Sequence, residues 1–295
     1  MDQLQYARQK LTYIYLTIAC IRFSPEMSDV RISWTKNTFL VTMIDDLFDA
    51  DGSKEELVNL IDLVKKWDCI SGGDYCSNRV EIIYTALYES MNQLGAIAFK
   101  RQGRNVTSHL VDLWSALLKS EMQEYEWARD KSTPTLNEYI QCAHISFALG
   151  PVVLITLYFL GTKISEEIIT SQEYNSLYKH MSICCRLLND NKTFQREDEQ
   201  GKLNSVLLYA IHESGTVTEQ EASEEISRII DCNKRDLLKL VLQTTGSIIP
   251  KACKDLFWDA YRVTHLFYKK NDEFTSPVEM LNFANELFFE PVKLL

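Results

Sequence analysis

The 295-residue chain is short of the residues that interrupt helices, with only 10 glycines and 6 prolines. So few turn formers exclude a fold of many short strands and leave long 3.6-period apolar patterns to set the architecture. Basic tracts are also missing. With 41 acidic against 31 basic residues the formal charge is −10, a balance ill suited to nucleic acid or an anionic membrane surface. An anionic substrate would need a cation to bridge it to such a protein. The eight cysteines (20, 69, 76, 142, 184, 185, 232, 253) form no C-x-x-C pair and no Cys/His zinc spacing. Most fall in apolar helical patterns and read as reduced, buried thiols of an intracellular protein. The opening "MDQLQYARQK" is neither a secretory signal nor a Ser/Arg-rich transit peptide. Internal repeats, low-complexity tracts and linker-like stretches are absent too.

What is present is helix after helix, and the sequence predicts an all-α fold with residues 1–295 as a single domain large enough to bury a substantial core. Turn clusters at "ADGS" (50–53), "ISGGD" (70–74), "KSTP" (131–134), "EQGK" (199–202) and "HESG" (212–215) mark off about nine or ten helices. Thr135–Glu138 and Thr218–Glu221 have the spacing of capping boxes, and Gly215 can end the helix between them. One stretch imitates a membrane span: Tyr139 to Thr162 carries no formal charge over a length that suits a bilayer. Gln141, His144 and a central Gly150-Pro151 favour a buried core helix instead.

The chemistry concentrates in two places. In "VTMIDDLFDADGS" (41–53), Asp45 and Asp49 are four apart and share a helix face, with Asp46 beside them. Trp34, Thr38 and Val41 precede them at helical spacing, giving an apolar face with a carboxylate rim. Ionised carboxylates are costly to bury without a partner, and hard oxygen ligands select Mg²⁺ or Mn²⁺, which bridge carboxylates to substrate phosphates. An exposed acidic helix end is the plain alternative. In "CCRLLNDNKTFQREDEQGK" (184–202), Asn189, Thr193 and Glu197 form a second row of amide, hydroxyl and carboxylate oxygens. Arg186, one turn earlier, offers a guanidinium suited to phosphate oxygens. A solvated polar face would be the plain reading here, but the preceding "YKHMSICCRLL" is largely apolar.

"DDLFD" and "NDNKTFQRE" resemble the two metal-binding motifs of class I terpene synthases, D-D-x-x-D and N/D-D-x-x-S/T-x-x-x-E. The likeness runs over nearly the whole chain: "YARQKLTYIYLTIACIRFSPEMSDVRISWTKN", "GRNVTSHLVDLWSALLKSEMQEYEWARD", "SFALGPVVL", "KACKDLFW" and "EFTSPVEM" are similar to plant ent-kaurene synthase-like diterpene synthases. That resemblance implies an all-helical barrel, the α domain, with a central pocket in which three Mg²⁺ ions bind the diphosphate of an allylic substrate and draw it off. By the same resemblance Asp45 and Asp49 are ligands supported by Asp46, and Asn189, Thr193 and Glu197 chelate the remaining ion. Arg8 and Arg186 hold the departing diphosphate. Trp34, Phe147, Tyr158 and Phe267 are candidate wall residues, though residues of this kind are more often ordinary core. Pro151 lacks an N–H, so the carbonyl of Phe147 loses its usual helical partner; relatives break their helix there, and Val152 follows the break.

Class II, proton-initiated cyclisation is not supported, because no D-x-D-D sequence occurs. The implied substrate therefore already carries its leaving group, as bicyclic copalyl or linear geranylgeranyl diphosphate, and the implied compartment is the plastid. Three departures from the family stand out. The family carries helices and further domains upstream of "YARQK", so the chain is expected to be truncated, and less stable and less active than an extended version. Asn191 occupies a usually apolar position in the second motif, and Glu273 stands where relatives usually have Gly. A non-catalytic paralogue that binds metal and diphosphate, or a protein partner, is the competing reading. A chain-elongating prenyltransferase would show a second aspartate-rich motif, which "NDNKTFQRE" is not.

Overall fold

Helix-start chemistry recurs along the computed structural model, which describes residues 10–19, 21–22, 24–67, 74–213, 216–276, 281–282 and 285. Both predicted capping boxes form: Thr135 and Thr218 each accept from the backbone N–H three residues on, while Glu138 and Glu221 reach back. A third, Ser53 with Glu56, starts the helix after the aspartates. The described residues hold twelve α-helices: α1 Leu11–Ala19, α2 Ser28–Asp46, α3 Lys54–Lys66, α4 Asn78–Gln102, α5 Thr107–Asp130, α6 Leu136–Ser146, α7 Ile155–Leu157, α8 Glu166–Thr170, α9 Gln172–Glu199, α10 Ser205–His212, α11 Glu219–Leu242 and α12 Lys251–Phe267. The short pieces α7 and α8 account for the excess over nine or ten. Gly215 lies outside the described residues.

The 28-residue α9 packs on α6, α10, α11 and α12. Helix α2 packs on α1, α4 and the 150–157 segment, and α5 joins α3, α4 and α6. The main core between them buries Trp114, Tyr84 and Phe257, all less than 2% exposed. Helix α2 passes without interruption into a π-helical turn, Leu47–Asp51, which closes when Gly52 N–H bonds the Leu47 carbonyl at 2.8 Å. This widening carries Asp49 out to the surface while Asp46 stays buried.

The apolar stretch is interrupted, as expected, though upstream of the proline. Helix α6 ends at Ser146, Ala148 takes a left-handed backbone with φ 65°, and Gly150–Leu154 forms a second π-helical turn. A Cβ at Gly150 would lie 3.2 Å from the Tyr178 hydroxyl, so a side chain there would make that tyrosine of α9 give way by a few tenths of an ångström. Leu136–Leu157 is apolar and long enough to cross a membrane by composition, yet 72% of its window is buried inside the fold. The thiols divide more evenly than the sequence implied. Cys184, Cys185 and Cys253 are buried and Cys142 half-buried, while Cys76 and Cys232 are exposed; none of these six is in a disulfide. Cys20 and Cys69 lie outside the described residues.

Candidate functional site

Two helix ends meet at one end of the bundle. Asp45 and Asp46 sit in the last turn of α2, Asp49 in the π turn after it, and Asn189, Thr193 and Glu197 along the last turns of α9. Lys202, just past the end of α9, ion-pairs with Asp49 at 2.5 Å. Tyr268, just past α12, lies near enough to both rows to feel them: burial raises its phenol, as do the charges of Asp272 and Asp45, while the Asn189 side chain lowers it. One tyrosine thus senses both rows.

The α9 row is braced from outside. The Thr193 hydroxyl, 1% exposed, bonds the Asn189 carbonyl at 3.1 Å. Asn204 uses one amide nitrogen to bond the Glu197 carboxylate at 2.7 Å and the Asp190 carbonyl at 3.0 Å. Burial, then the Asp190 charge, holds the Glu197 carboxyl above its ordinary value, against the opposing effects of Arg186, Asn204 and Thr193. Asn191, the unusual residue of the motif, turns away: it donates to Ser227 at 2.9 Å and accepts from Ser223 at 2.6 Å on α11.

Arg186 is held by partners on α5, α6 and α9. Its Nη2 and Nε donate to the Tyr139 hydroxyl at 2.6 and 3.1 Å, Nε pairs with buried Asp190 at 2.8 Å, and Nη2 lies 3.7 Å from Glu124. Tyr139 passes its own proton to Asp190 as a 3.0 Å hydrogen bond. Glu121, one turn before Glu124 on α5, is pushed well above the usual carboxylate range by burial and then by the charges of Asp45, Glu124 and Asp49. Glu121, Glu124, Tyr139, Asp190, Lys202 and Tyr268 were not singled out from sequence. The readable signal was "KSEMQEYE", where two glutamates three apart lie behind a strongly apolar helix. The ends of α9 and α12 reach the site only through tertiary packing.

The other expected residues are placed as follows. Trp34, 5% exposed, donates its indole N–H to Thr17 of α1 at 3.1 Å. Thr38 bonds its hydroxyl to the Trp34 carbonyl at 2.9 Å, and Val41 packs half-buried against the core. Val152 is 4% exposed in the second π turn. Phe147 packs on Phe267 and Tyr268, which brings it next to the site tyrosine. Tyr158 does not reach this end: its hydroxyl lies 2.8 Å from His109 Nδ1, within the α4–α5 side of the fold. Arg8 lies outside the described residues.

The donor set fits a hard divalent cation. The α2 row offers carboxylate oxygens and the α9 row amide, hydroxyl and carboxylate oxygens, with no sulfur or imidazole in either, which suits Mg²⁺ or Mn²⁺. Burial first, and then the charges of Asp45, Glu124 and Asp49, raise Glu121, in keeping with negative charge gathered at this end. Among the described residues no three carboxylates, imidazoles or thiolates enclose a single point. The rows approach one another without closing.

Comparison with known proteins accounts for this pairing of oxygen-rich helix ends. The sequence profile of the terpene synthase family, metal binding domain, matches residues 1–236, and the chain belongs to that family. It is 49% identical over 294 residues to the ent-beyerene synthase KSL4 of Ricinus communis, covering 100% of this chain and 38% of that protein. It is also 49% identical over 294 residues to the ent-kaur-16-ene synthase of Oryza sativa subsp. japonica, covering 100% and 39%. Both names carry the label chloroplastic. The fold matches isoprene synthase from grey poplar leaves (Populus x canescens) in complex with three Mg²⁺ ions and dimethylallyl-S-thiolodiphosphate. There the TM-score is 0.88 at 27% identity, over 99% of this chain and 55% of that one. The class I terpenoid synthase α fold is thereby established. The chain spans less than two fifths of the length of these two curated relatives.

Proposed function

We propose that this chain carries the ionisation and cyclisation site of a class I diterpene synthase, a carbon–oxygen lyase that releases diphosphate from copalyl diphosphate, the ent isomer foremost. The observation that carries the reading is the approach of the α2 and α9 rows, spanned by Lys202–Asp49 and by Tyr268. Asp45 and Asp49, with Asp46 behind them, hold metal from one side; Asn189, Thr193 and Glu197 hold it from the other. Divalent ions bound there supply the positive charge that offsets the departing diphosphate. Arg186, oriented by Tyr139, Asp190 and Glu124, presents its guanidinium to the diphosphate oxygens, and Arg8 is assigned the same task by family resemblance.

The organic cation left behind needs an apolar, dry wall with aromatic faces. Phe147 and Val152, with Trp34, Thr38 and Val41 on α2, are assigned to that wall. Relatives at equal identity are named for different synthases, ent-beyerene and ent-kaur-16-ene, and the product we propose is a polycyclic olefin of that kind. Three Mg²⁺ ions are proposed by analogy with the isoprene synthase complex, and a plastid location by analogy with the two chloroplastic relatives. The test is incubation with ent-, normal and syn-copalyl diphosphate and with geranylgeranyl diphosphate, each with Mg²⁺, and mass spectrometry of extracted hydrocarbons. A diterpene olefin from a copalyl isomer is the expected result. Folded protein that gives no olefin from any of the four overturns the proposal.

A further inference from the structure

Lys202 stands at a junction that the metal-binding reading does not use. Helix α9 ends with Gly201 at φ 68°, and the N–H of Lys202 turns back to the Glu197 carbonyl at 2.8 Å. This is the helix stop in which a left-handed glycine lets the next residue bond the last turn. Two residues on, Asn204 ties the same loop to Glu197 and to Asp190. The backbone of Lys202 is therefore fixed to the helix that bears the second oxygen row. Its side chain crosses to the first row, with Nζ 2.5 Å from Asp49 Oδ2.

We infer that Lys202 is an exchangeable counter-ion: its ammonium neutralises Asp49 in the metal-free protein and must leave that oxygen before Asp49 can ligate a divalent cation. The inference rests on Asp49 being a metal ligand, as proposed above. The location favours exchange. Lys202 and Asp49 are 35% and 43% exposed in their side chains, and pairs so accessible to water are weak and easily opened. An ammonium is a strongly hydrated point charge on a flexible stem, so it can swing away without disturbing the loop that anchors it. The consequence is that Lys202 weakens metal loading, and that loading frees a positive side chain at the mouth of the site.

The test is Mn²⁺ binding in the presence of inorganic diphosphate, read from the electron paramagnetic resonance of free Mn²⁺. The proteins are the parent chain, Lys202→Met, Asp49→Asn, the double variant, and Lys192→Met as a control for charge loss elsewhere on α9. Lys202→Met should tighten the dissociation constant about two- to fivefold, the range set by a weak exposed pair. Asp49→Asn should weaken it, and adding Lys202→Met to Asp49→Asn should change nothing more. Unaltered affinity in Lys202→Met, an equal gain in Lys192→Met, or a gain that persists without Asp49 would each overturn the counter-ion role while leaving the metal site standing. Absence of saturable Mn²⁺ binding by the folded parent would remove the metal site, and the counter-ion with it.

Discussion

A carboxylate in this site has a different task according to the charges it faces. Asp45 and Glu197 stand at the ends of the two rows, and each is assigned to metal. Asp45→Ala or Glu197→Ala should lower turnover about 10²–10³-fold, the scale of removing one transition-state stabiliser worth about 2.7–4 kcal/mol, with an unchanged circular dichroism spectrum. Steady-state kinetics on a copalyl substrate checks this, and near-parental turnover would remove the residue from the site. Glu121 behaves in the opposite sense, as an acid that resists ionisation. Its folded value is raised by burial and neighbouring charge, so above the ordinary glutamate value the unfolded chain releases a proton that the folded one keeps. Folding stability then falls as pH rises through that window. Glu121→Gln should melt higher than the parent at pH 7.5 in EDTA, with the gap closing toward pH 4.5; thermal scans across that range decide it. Like-charge crowding of this kind was not legible in the sequence. The aspartate pair and the Asn/Thr/Glu row were, because helical spacing alone puts their members on one face. Glu121 and Glu124 stand 76 and 73 positions from Asp45 and Glu197 respectively, and nothing local says that α5 passes beside them.

At the scale of elements, the sequence spoke through caps and hid its irregular turns. The Thr–Glu boxes were readable because their bonds are made within four residues. The π turns were not, since widening a helix is settled by what packs against it. Pro151 announced a break, but the chain makes the turn at Ala148, three residues upstream, at φ 65°. A left-handed alanine costs roughly 1–2 kcal/mol relative to its right-handed state. Ala148→Gly should therefore be neutral or stabilising by up to about 1 kcal/mol, whereas Ala148→Val should cost about 1–3 kcal/mol. Urea denaturation of the pair reports the difference. If valine proves harmless, the left-handed turn is not a fixed feature of the fold. Asn191 teaches the reverse lesson: an anomaly within a motif was visible in sequence, while its Ser223 and Ser227 partners come from another helix.

For the whole molecule, the proposed site would put metal, diphosphate and fold on one linked equilibrium. A ligand that binds only the folded chain stabilises it by about 2.7 kcal/mol at a hundredfold excess over its dissociation constant. Mg²⁺ and inorganic diphosphate together should raise the melting temperature by at least about 2 °C, and Asp45→Ala should lose most of that rise. Calorimetry with either component alone shows whether the effect needs both.

The far ends of the described fold are clasped together. Lys10 reaches the carbonyls of Phe274 and Thr275, Tyr13 donates to the Glu273 carbonyl at 2.7 Å, and Arg196 pairs with Asp272 at 2.8 Å. The first two contacts span 260 residues or more of intervening chain. Loops that long close at a high entropic cost, which places the clasp among the last contacts made as the chain acquires its shape. Interactions absent from the transition state govern how fast a protein opens and leave the rate of forming it unaltered. Tyr13→Phe keeps the ring against Phe267 and removes one hydrogen bond, worth about 0.5–1.5 kcal/mol. In stopped-flow chevrons it should steepen nothing and shift only the unfolding arm, upward by about two- to tenfold. The clasp would then act as a kinetic fastener: the durability of the folded chain, more than its speed of assembly, depends on a handful of bonds between residues 10–13 and 273–275.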